Sequence, residues 1–203
     1  MVDKIKNVSS KTIIGFTAVM LVTAFIVKGL WGYAVETSAF KNGTLETYTI
    51  TSTDFMWNGI KEKDGQVVTT DNDPQMLLEK PQKFTSLKFY MDASIHPGEM
   101  VVYYTEPGDA GFSSQKRLWV VPTDQLGWYT VETSLKNVTA LRVDPTMYAG
   151  NILTFGDFTF NREKPLVDYF AVSYGDVFNL IVYTGIISSV LKFLQEIIRK
   201  EID

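Results

Sequence analysis

The first strong feature of the chain is an apolar stretch near its N-terminus. Residues 12–35 (TIIGFTAVMLVTAFIVKGLWGYAV) contain a single charge, Lys28. A helix of about 20 apolar residues is long enough to cross a bilayer. Lys28 lies near the far end, where its long side chain can reach the headgroup region, and the neighbouring Trp31 and Tyr33 are typical of that region. The pattern predicts a transmembrane helix over residues 12–35.

The tail that precedes this helix, residues 1–11, is basic, so the positive-inside rule places it in the cytoplasm. A cleaved signal peptide has the same basic start and apolar stretch. A signal peptide also needs small residues at its cleavage site, and residues 34–39 offer no good Ala-x-Ala sequence. We therefore favour an anchor that is not cleaved.

A second apolar stretch lies near the C-terminus, where residues 177–191 are uncharged. In one helix over residues 176–200, Thr184, Ser188 and Lys192 recur every four positions and form a polar stripe. In a second transmembrane helix, this stripe would face the first helix or a partner, because polar groups are unfavourable in lipid. An amphipathic helix on the membrane surface and a core-facing helix stay open as alternatives. We favour the transmembrane helix and take the three stripe residues as candidates for docking a partner.

Between these ends, hydrophobic and polar positions alternate in short runs. The clearest run places Leu87, Phe89 and Met91 on one face and Lys88 and Tyr90 on the other. Turn sequences rich in Gly, Pro and Asp separate the runs. The predicted strands cover residues 45–52, 84–91, 100–105, 117–121, 128–133, 138–144 and 151–160.

Short strands at roughly ten-residue spacing predict an antiparallel sandwich. No long helical pattern interrupts them, which argues against a parallel α/β sheet. The predicted fold is mainly β: a jelly-roll or β-sandwich ectodomain over residues 45–160, flanked by an N-terminal and a C-terminal transmembrane helix. Residues 161–175 form the predicted linker to the second helix.

Composition and charge narrow the possible functions. The chain has no cysteine, which excludes disulfides, thiolate metal sites and cysteine nucleophiles. Residues 36–175 carry 12 basic and 18 acidic side chains, a net charge of −6, and an acidic domain argues against nucleic-acid binding. The single histidine, His96, lies in a His-Pro-Gly turn, and no catalytic motif is present. We expect a protein that is not an enzyme.

Three acidic residues form the one candidate metal site. Asp71, Asp73 and Asp157 could supply carboxylate oxygens to a structural calcium ion. Aspartates in turns more often accept hydrogen bonds from their own backbone. We therefore expect no cofactor and keep calcium as an alternative.

The aromatic residues of the middle segment are the candidates for ligand contact. Sugar rings have apolar C–H faces that stack on exposed aromatic planes, which makes Trp57, Tyr104, Trp119 and Trp128 candidates for glycan binding. Where two aromatic residues are adjacent in a strand, one of them faces away from the core. The alternatives are that these rings fill the core or meet a protein partner.

Three segments together resemble a known family. They are residues 73–75 (DPQ), residues 101–114 (VVYYTEPGDAGFSS) and residues 141–146 (LRVDPT), the last followed by the strand at residues 155–160. Their order resembles the jelly-roll, carbohydrate-binding-module-like ectodomains of bacterial membrane proteins that assemble cell-surface polysaccharides, including glycosyltransferases. The resemblance covers Leu45–Phe160.

This resemblance implies a non-catalytic β-sandwich outside the cell membrane, close to surface glycan. The catalytic module that accompanies such domains is absent from this sequence. The leading hypothesis is therefore an accessory subunit of a bacterial polysaccharide synthesis or export complex, with both termini in the cytoplasm. Its partners would be a polytopic glycosyltransferase or exporter, glycan and the lipid bilayer. A stand-alone membrane-anchored surface lectin and a glycan-active enzyme, which would need two acids in one cleft, are the alternatives.

Overall fold

A computed structural model describes residues 8–79 and 82–202. Two α-helices and twelve β-strands account for most of the described residues. Residues 1–7 of the predicted cytoplasmic tail lie outside them. The elements are α1 (Ser10–Lys41), β1 (Tyr48–Ile50), β2 (Met56–Asn58), β3 (Ile60–Lys63), β4 (Gln66–Thr69), β5 (Gln75–Leu78), β6 (Gln82–Ala93), β7 (Val101–Thr105), β8 (Arg117–Trp119), β9 (Val121–Pro122), β10 (Trp128–Val138), β11 (Ala140–Asp144), β12 (Ile152–Phe160) and α2 (Tyr174–Ile202).

The chain divides into two compact units. The helical unit combines the chain up to Ala34 with the chain from Lys164 onward, and the sandwich unit is Val35–Glu163. Within the described residues, two helices, α1 and α2, are long and apolar enough to cross a membrane. Most of their apolar side chains are exposed, as lipid-facing side chains are.

The start of each helix follows from its local sequence. The backbone N–H of Thr12 donates to Oγ of Ser9 at 3.1 Å, which caps α1. At the start of α2, the backbone N–H of Asp176 donates to Oγ of Ser173, and the backbone N–H of Ser173 donates to the Asp176 carboxylate. This reciprocal pair is a capping box, and it explains why α2 begins at this point.

The two helices run antiparallel within the helical unit. The side-chain amide of Gln195, near the end of α2, donates to the carbonyl of Val8, just before α1. At the other end of the unit, Gly29 of α1 packs against the segment that precedes α2. A Cβ at Gly29 would lie 2.6 Å from a ring carbon of Phe170, so this contact requires glycine. The helical unit is therefore a hairpin of two helices.

The strands of the sandwich unit form two antiparallel sheets. In the part of the chain that the structure describes, one sheet has seven strands, ordered β3-β4-β12-β6-β10-β9 with β1 also paired to β12. The other has five, ordered β2-β5-β11-β7-β8. Strand β12 returns between β4 and β6, and β11 returns between β5 and β7. This arrangement of two interleaved Greek keys is a jelly roll, and the predicted fold class is confirmed.

The sheets enclose one core whose residues alternate along the strands. Leu87, Phe89 and Met91 of β6 are at most 1% exposed, as the sequence pattern predicts. The ring of Phe89 stacks on Phe158 of β12 with centroids 5.1 Å apart. Since every strand of a sandwich buries one face only, the outward residues of each sheet are available to a ligand.

The segment predicted as one strand over residues 117–121 belongs to both sheets. Strand β8 pairs with β7 in the five-stranded sheet, and β9 pairs with β10 in the seven-stranded sheet. Val120 lies between them and donates its backbone N–H to the carbonyl of Met100. The chain therefore changes sheet at Val120, which places Trp119 and Val121 on different surfaces.

The chain enters and leaves the sandwich unit at adjacent strand ends. Tyr48 of β1 pairs with Phe160 of β12, and their rings stack with centroids 4.7 Å apart. The next residue, Asn161, is 2% exposed. Its side-chain Oδ1 accepts from the backbone N–H of Thr85, and its Nδ2 donates to two backbone carbonyls at 3.2 and 3.0 Å. Asn161 therefore holds the segment that enters the sandwich and the segment that leaves it together, beside the start of β6.

Candidate functional site

The outer surface of the five-stranded sheet carries two adjacent rows of side chains. The inward residues of its strands, such as Val102 and Val143, belong to the core. Their outward neighbours are placed by strand register: Arg142 is opposite Tyr103, and Tyr103 is opposite Arg117. In the next row, Asp144 and Trp119 are both opposite Val101. We call this surface the Trp119 face; it consists of Tyr103, Arg117, Trp119, Arg142 and Asp144.

Arg142 and Asp144 form a fixed polar centre on the Trp119 face. Nε of Arg142 donates to Oδ1 of Asp144 and Nη2 donates to Oδ2, both at 2.7 Å. Nη2 also donates to Asp73, likewise at 2.7 Å, and the guanidinium lies 5.0 Å from the centre of the Tyr103 ring. A bidentate pair of this kind has little freedom to rotate. Arg142 and Asp144 therefore form an ion pair at the end of β11.

Burial changes the titration of this pair. Desolvation raises the pKa of Asp144, although the hydrogen bonds and charge of Arg142 partly oppose the change. Desolvation also disfavours the charged form of Arg142, but the hydrogen bonds and charge of Asp144 outweigh it, so the pKa of Arg142 is raised. The pKa shift of each group therefore reflects its burial together with its ion-pair partner.

Trp119 supplies the exposed aromatic surface of the site. Its side chain is 48% exposed, although it lies in a strand beside well-packed residues. The guanidinium of Arg117 lies 4.5 Å from the ring centre, a cation–π distance. An exposed indole beside fixed donors and acceptors can bind a ligand that has both an apolar face and polar edges.

The four aromatic candidates from the sequence do not come together. Trp57 faces the core, and its indole N–H donates to the carbonyl of Ser52 at 2.8 Å. Tyr104 also belongs to the core, on the opposite side of its strand from Tyr103, and so it is not part of the Trp119 face. Trp119 alone of the four lies on the Trp119 face.

Trp128 points outward from the opposite, seven-stranded sheet. Its ring packs edge-on against Tyr90 with centroids 5.8 Å apart, and Nζ of Lys88 lies 4.8 Å from its centre. Tyr90 in turn fits against Gly127, whose φ is +76°, and a Cβ there would lie 2.6 Å from the Tyr90 ring. The Trp128 ring therefore packs against Tyr90 and Lys88 of β6, and Tyr90 in turn supports the turn between β9 and β10.

Sequence reasoning did not identify Tyr103 as the outward member of its aromatic pair. Alternation alone allows either Tyr103 or Tyr104 to face the core. The preceding Val101-Val102 pair is equally ambiguous in the sequence. The structure buries Val102, which places Tyr104 inward with it and Tyr103 outward. The same argument places the side chains of Arg142 and Asp144 on the outward face, since Val143 between them is buried.

A separate polar cleft lies on the outer surface of the seven-stranded sheet. Its volume is about 300 Å³ and its charged lining residues are Lys88, Asp124, Glu132 and Arg162. Hydroxyl and amide side chains complete the lining, and no aromatic ring contributes to it. The cleft therefore lacks the combination of apolar and polar surface that the Trp119 face provides.

The three acidic metal candidates serve other contacts. Oδ1 of Asp71 accepts the backbone N–H of Asp73, and Asp73 pairs with Arg142. Asp157 lies in β12, in the opposite sheet. Among the described residues, no group of three or more His, Asp or Glu side chains is placed to hold a metal ion. Nδ1 of His96 accepts the backbone N–H of Gly98 and so stabilises its own turn.

The candidate docking stripe on α2 is turned toward α1. Ser188 is 6% exposed and lines a groove together with Ser10 of α1. Nζ of Lys192 donates to the side-chain oxygen of Gln195, and Thr184 is partly buried. Ser188 therefore faces α1, and docking of a separate subunit through the stripe stays a prediction.

Comparisons with known proteins give structural neighbours only. No family model matches the sequence, and no curated protein matches it. A xylan-binding module, CBM86, from Roseburia intestinalis aligns with a TM-score of 0.38 at 11% identity over 57% of this chain and 94% of its own. A β-1,3-glucan-binding CBM6 from Bacillus halodurans has a TM-score of 0.36 at 14% identity, covering 56% and 94%. A CBM6 from Clostridium cellulolyticum in complex with xylose has a TM-score of 0.38 at 10% identity, covering 56% and 95%.

These neighbours are carbohydrate-binding modules, and each aligns with a little more than half of the chain. The jelly-roll assignment rests on the strand order described above and not on these scores. The structure thus defines the class of the protein, a β-sandwich that carries two helices able to span a membrane.

Proposed function

We propose that the chain is a non-catalytic, membrane-anchored glycan-binding protein, and that the Trp119 face is its binding site. The observation that carries the proposal is the exposed Trp119 on the same sheet surface as the fixed Arg142–Asp144 pair. A sugar ring offers an apolar C–H face to the indole, while its hydroxyls can bond to the carboxylate and guanidinium. Because the pair is already held in place, binding would require little further ordering of side chains.

The chemistry of this surface favours binding over hydrolysis. Both carboxylate oxygens of Asp144 accept hydrogen bonds from Arg142. Glycoside hydrolysis by the usual mechanisms needs two carboxyl groups on either side of the scissile bond, one of them free to donate a proton. Asp144 is engaged, and Asp73 is paired with the same arginine. The Trp119 face is therefore suited to hold a glycan and not to cleave it.

We place both termini in the cytoplasm and the sandwich unit outside the cell membrane. The antiparallel hairpin supports this topology, because it brings the start of α1 and the end of α2 to the same side. Lys11 at the first end and Arg199 and Lys200 at the second are the basic residues that the positive-inside rule places in the cytoplasm.

We further propose an accessory role in a bacterial complex for cell-surface polysaccharide synthesis or export. The partner would be a polytopic glycosyltransferase or exporter, and it would meet the exposed apolar faces of α1 and α2. We do not assign docking to Ser188 and Lys192, since both line the groove between α1 and α2, and docking through Thr184 stays a prediction. The sequence resemblance supports this role.

The binding proposal predicts a strong dependence on Trp119. We expect Trp119→Ala to weaken binding about tenfold or more, since an exposed aromatic anchor commonly contributes at least this much. The full-length protein in mild detergent would be screened on an array of bacterial surface polysaccharides, and the best ligand would be titrated by calorimetry. Trp128→Ala is the matched control and should bind like the wild type. Loss of binding in Trp128→Ala alone would move the site to the opposite sheet.

The accessory role predicts a stable partner in native membranes. Affinity purification of the full-length protein in mild detergent should recover a polytopic glycosyltransferase or exporter in stoichiometric amount, identified by mass spectrometry. Trp119→Ala should recover the same partner, because the helices and not the sandwich would hold it. If the protein is recovered alone, the accessory role fails and the surface-lectin alternative gains support.

A further inference from the structure

A groove runs between the two helices at the end of the helical unit where α1 begins. Its volume is about 450 Å³, and we call it the α1–α2 groove. Its walls combine apolar side chains, including Ile14 and Phe193, with the polar Ser188, Lys192 and Glu196. Since both helices are suited to cross a bilayer, a groove on their surface lies open to lipid.

One buried hydroxyl in this groove has no partner. Ser188 is 6% exposed, and its Oγ makes no hydrogen bond within the described residues. A buried hydroxyl without a partner is unfavourable, so a native structure usually supplies one. Ser188 lines the groove, and a polar atom of a bound molecule would therefore satisfy it.

The charges in the groove are ordered along the helix. Lys192 follows the uncharged residues 177–191, and Glu196 lies one turn farther from that stretch, about 6 Å along the axis. Nζ of Lys192 bonds to the amide oxygen of Gln195, which leaves its charge without a carboxylate at that contact. The groove thus presents a cation near the apolar layer and an anion beyond it.

We infer that the α1–α2 groove binds the headgroup of a zwitterionic phospholipid that ends in a primary ammonium. In such a lipid the phosphate lies next to the acyl chains and the ammonium lies beyond it, the same order as Lys192 and Glu196. The phosphate would accept from Lys192 and Ser188, and the ammonium would donate to Glu196. The acyl chains would lie against Ile13 and Ile14 of α1. This inference rests on the membrane placement of the helices and is independent of the Trp119 face.

The test measures which lipid stays with the full-length protein. The protein would be reconstituted in nanodiscs of equal parts phosphatidylethanolamine, phosphatidylglycerol and phosphatidylcholine, then released from them for native mass spectrometry. We expect one retained phosphatidylethanolamine. Glu196→Gln should lower its preference over phosphatidylcholine about tenfold, equal to about 1.4 kcal/mol. Lys192→Met should reduce retention of all three lipids, because each carries a phosphate.

The control is Lys200→Met, which removes a charge of the same sign outside the groove and should leave the lipid pattern unchanged. Equal retention of phosphatidylethanolamine and phosphatidylcholine by the wild type would overturn the inference, as would retention of no lipid. A polypeptide that co-purifies and displaces the lipid would assign the groove to a partner helix instead. Since Glu196→Gln preserves the shape of the side chain, its result stands even if Lys192→Met weakens the hairpin. Glycan binding measured on the same samples would show separately whether the Trp119 face works.

Discussion

Asn151→Leu should lower the free energy of unfolding of the sandwich by about 3 kcal/mol, because it leaves several buried polar groups without partners. Asn151 is fully buried. Its Oδ1 accepts from Oγ of Ser94 and from the backbone N–H of Ile95, and its Nδ2 donates to the carbonyl of Ile95 and to Oγ1 of Thr146. Leucine has nearly the same shape, so the loss would report hydrogen bonds and not a cavity.

This effect would be measured by thermal unfolding of the full-length protein in mild detergent, followed by tryptophan fluorescence. A loss of about 3 kcal/mol corresponds to a fall in Tm of roughly 10 °C for a domain of this size. Asn137→Leu, at an exposed position of β10, is the control and should change stability by less than about 0.5 kcal/mol. Equal shifts in the two variants would show that Asn151 does not act through its amide.

Arg142→Met should destabilise the protein by about 3 kcal/mol near neutral pH, since it leaves the Asp144 carboxylate buried without its cation. The loss should depend on pH. Burial already raises the pKa of Asp144 in the wild type, so the folded state binds this proton more tightly than the unfolded state does. Stability from such a group is greatest below the unfolded pKa and falls as pH rises through the folded pKa.

Removing Arg142 takes away the group that opposes this rise, so the pKa of Asp144 should increase further. The destabilisation should therefore be smaller near pH 4, where the carboxyl is increasingly neutral, than near pH 7. Thermal unfolding of both proteins at the two pH values measures this difference. Adding Asp144→Asn to Arg142→Met should remove most of the pH dependence. A loss of equal size at both pH values would exclude a charge effect and leave only lost packing.

Strands β6 and β12 could be predicted from sequence because both are long, Gln82–Ala93 and Ile152–Phe160. Strand β6 alternates so clearly that the buried positions of Leu87, Phe89 and Met91 follow directly. The strands between Met56 and Leu78 were missed, because they are only three or four residues long and several carry charged side chains. One sequence signal was available there, the dipeptide Asp64-Gly65, which is typical of hairpin turns. In the structure both residues have positive φ, +54° and +75°, as such a turn requires.

The candidate site was harder to predict than the fold. The two-residue alternation along a strand shows which side chains share a face but not which face is buried. It therefore could not decide whether Tyr103 or Tyr104 points outward. Trp119 and Trp128 lie only nine positions apart, yet they project from opposite sheets. The chain changes sheet between them, at Val120, and no local sequence pattern marks that change. Which aromatic residues share a surface is therefore a property of the tertiary structure.

The adjacent entry and exit of the sandwich unit have a mechanical consequence. β1 and β12 are antiparallel neighbours, and the covalent connections to the two helices leave from Tyr48 and Phe160, which are paired. A pulling force applied to the sandwich through a bound glycan would act on both connections at once. The two helices that anchor the domain would then share the tension. A force that separates the helices would instead peel the three-residue β1 from β12 one pair at a time. Separation of the two anchors would therefore break the β1–β12 pairs in turn, beginning at Tyr48 and Phe160.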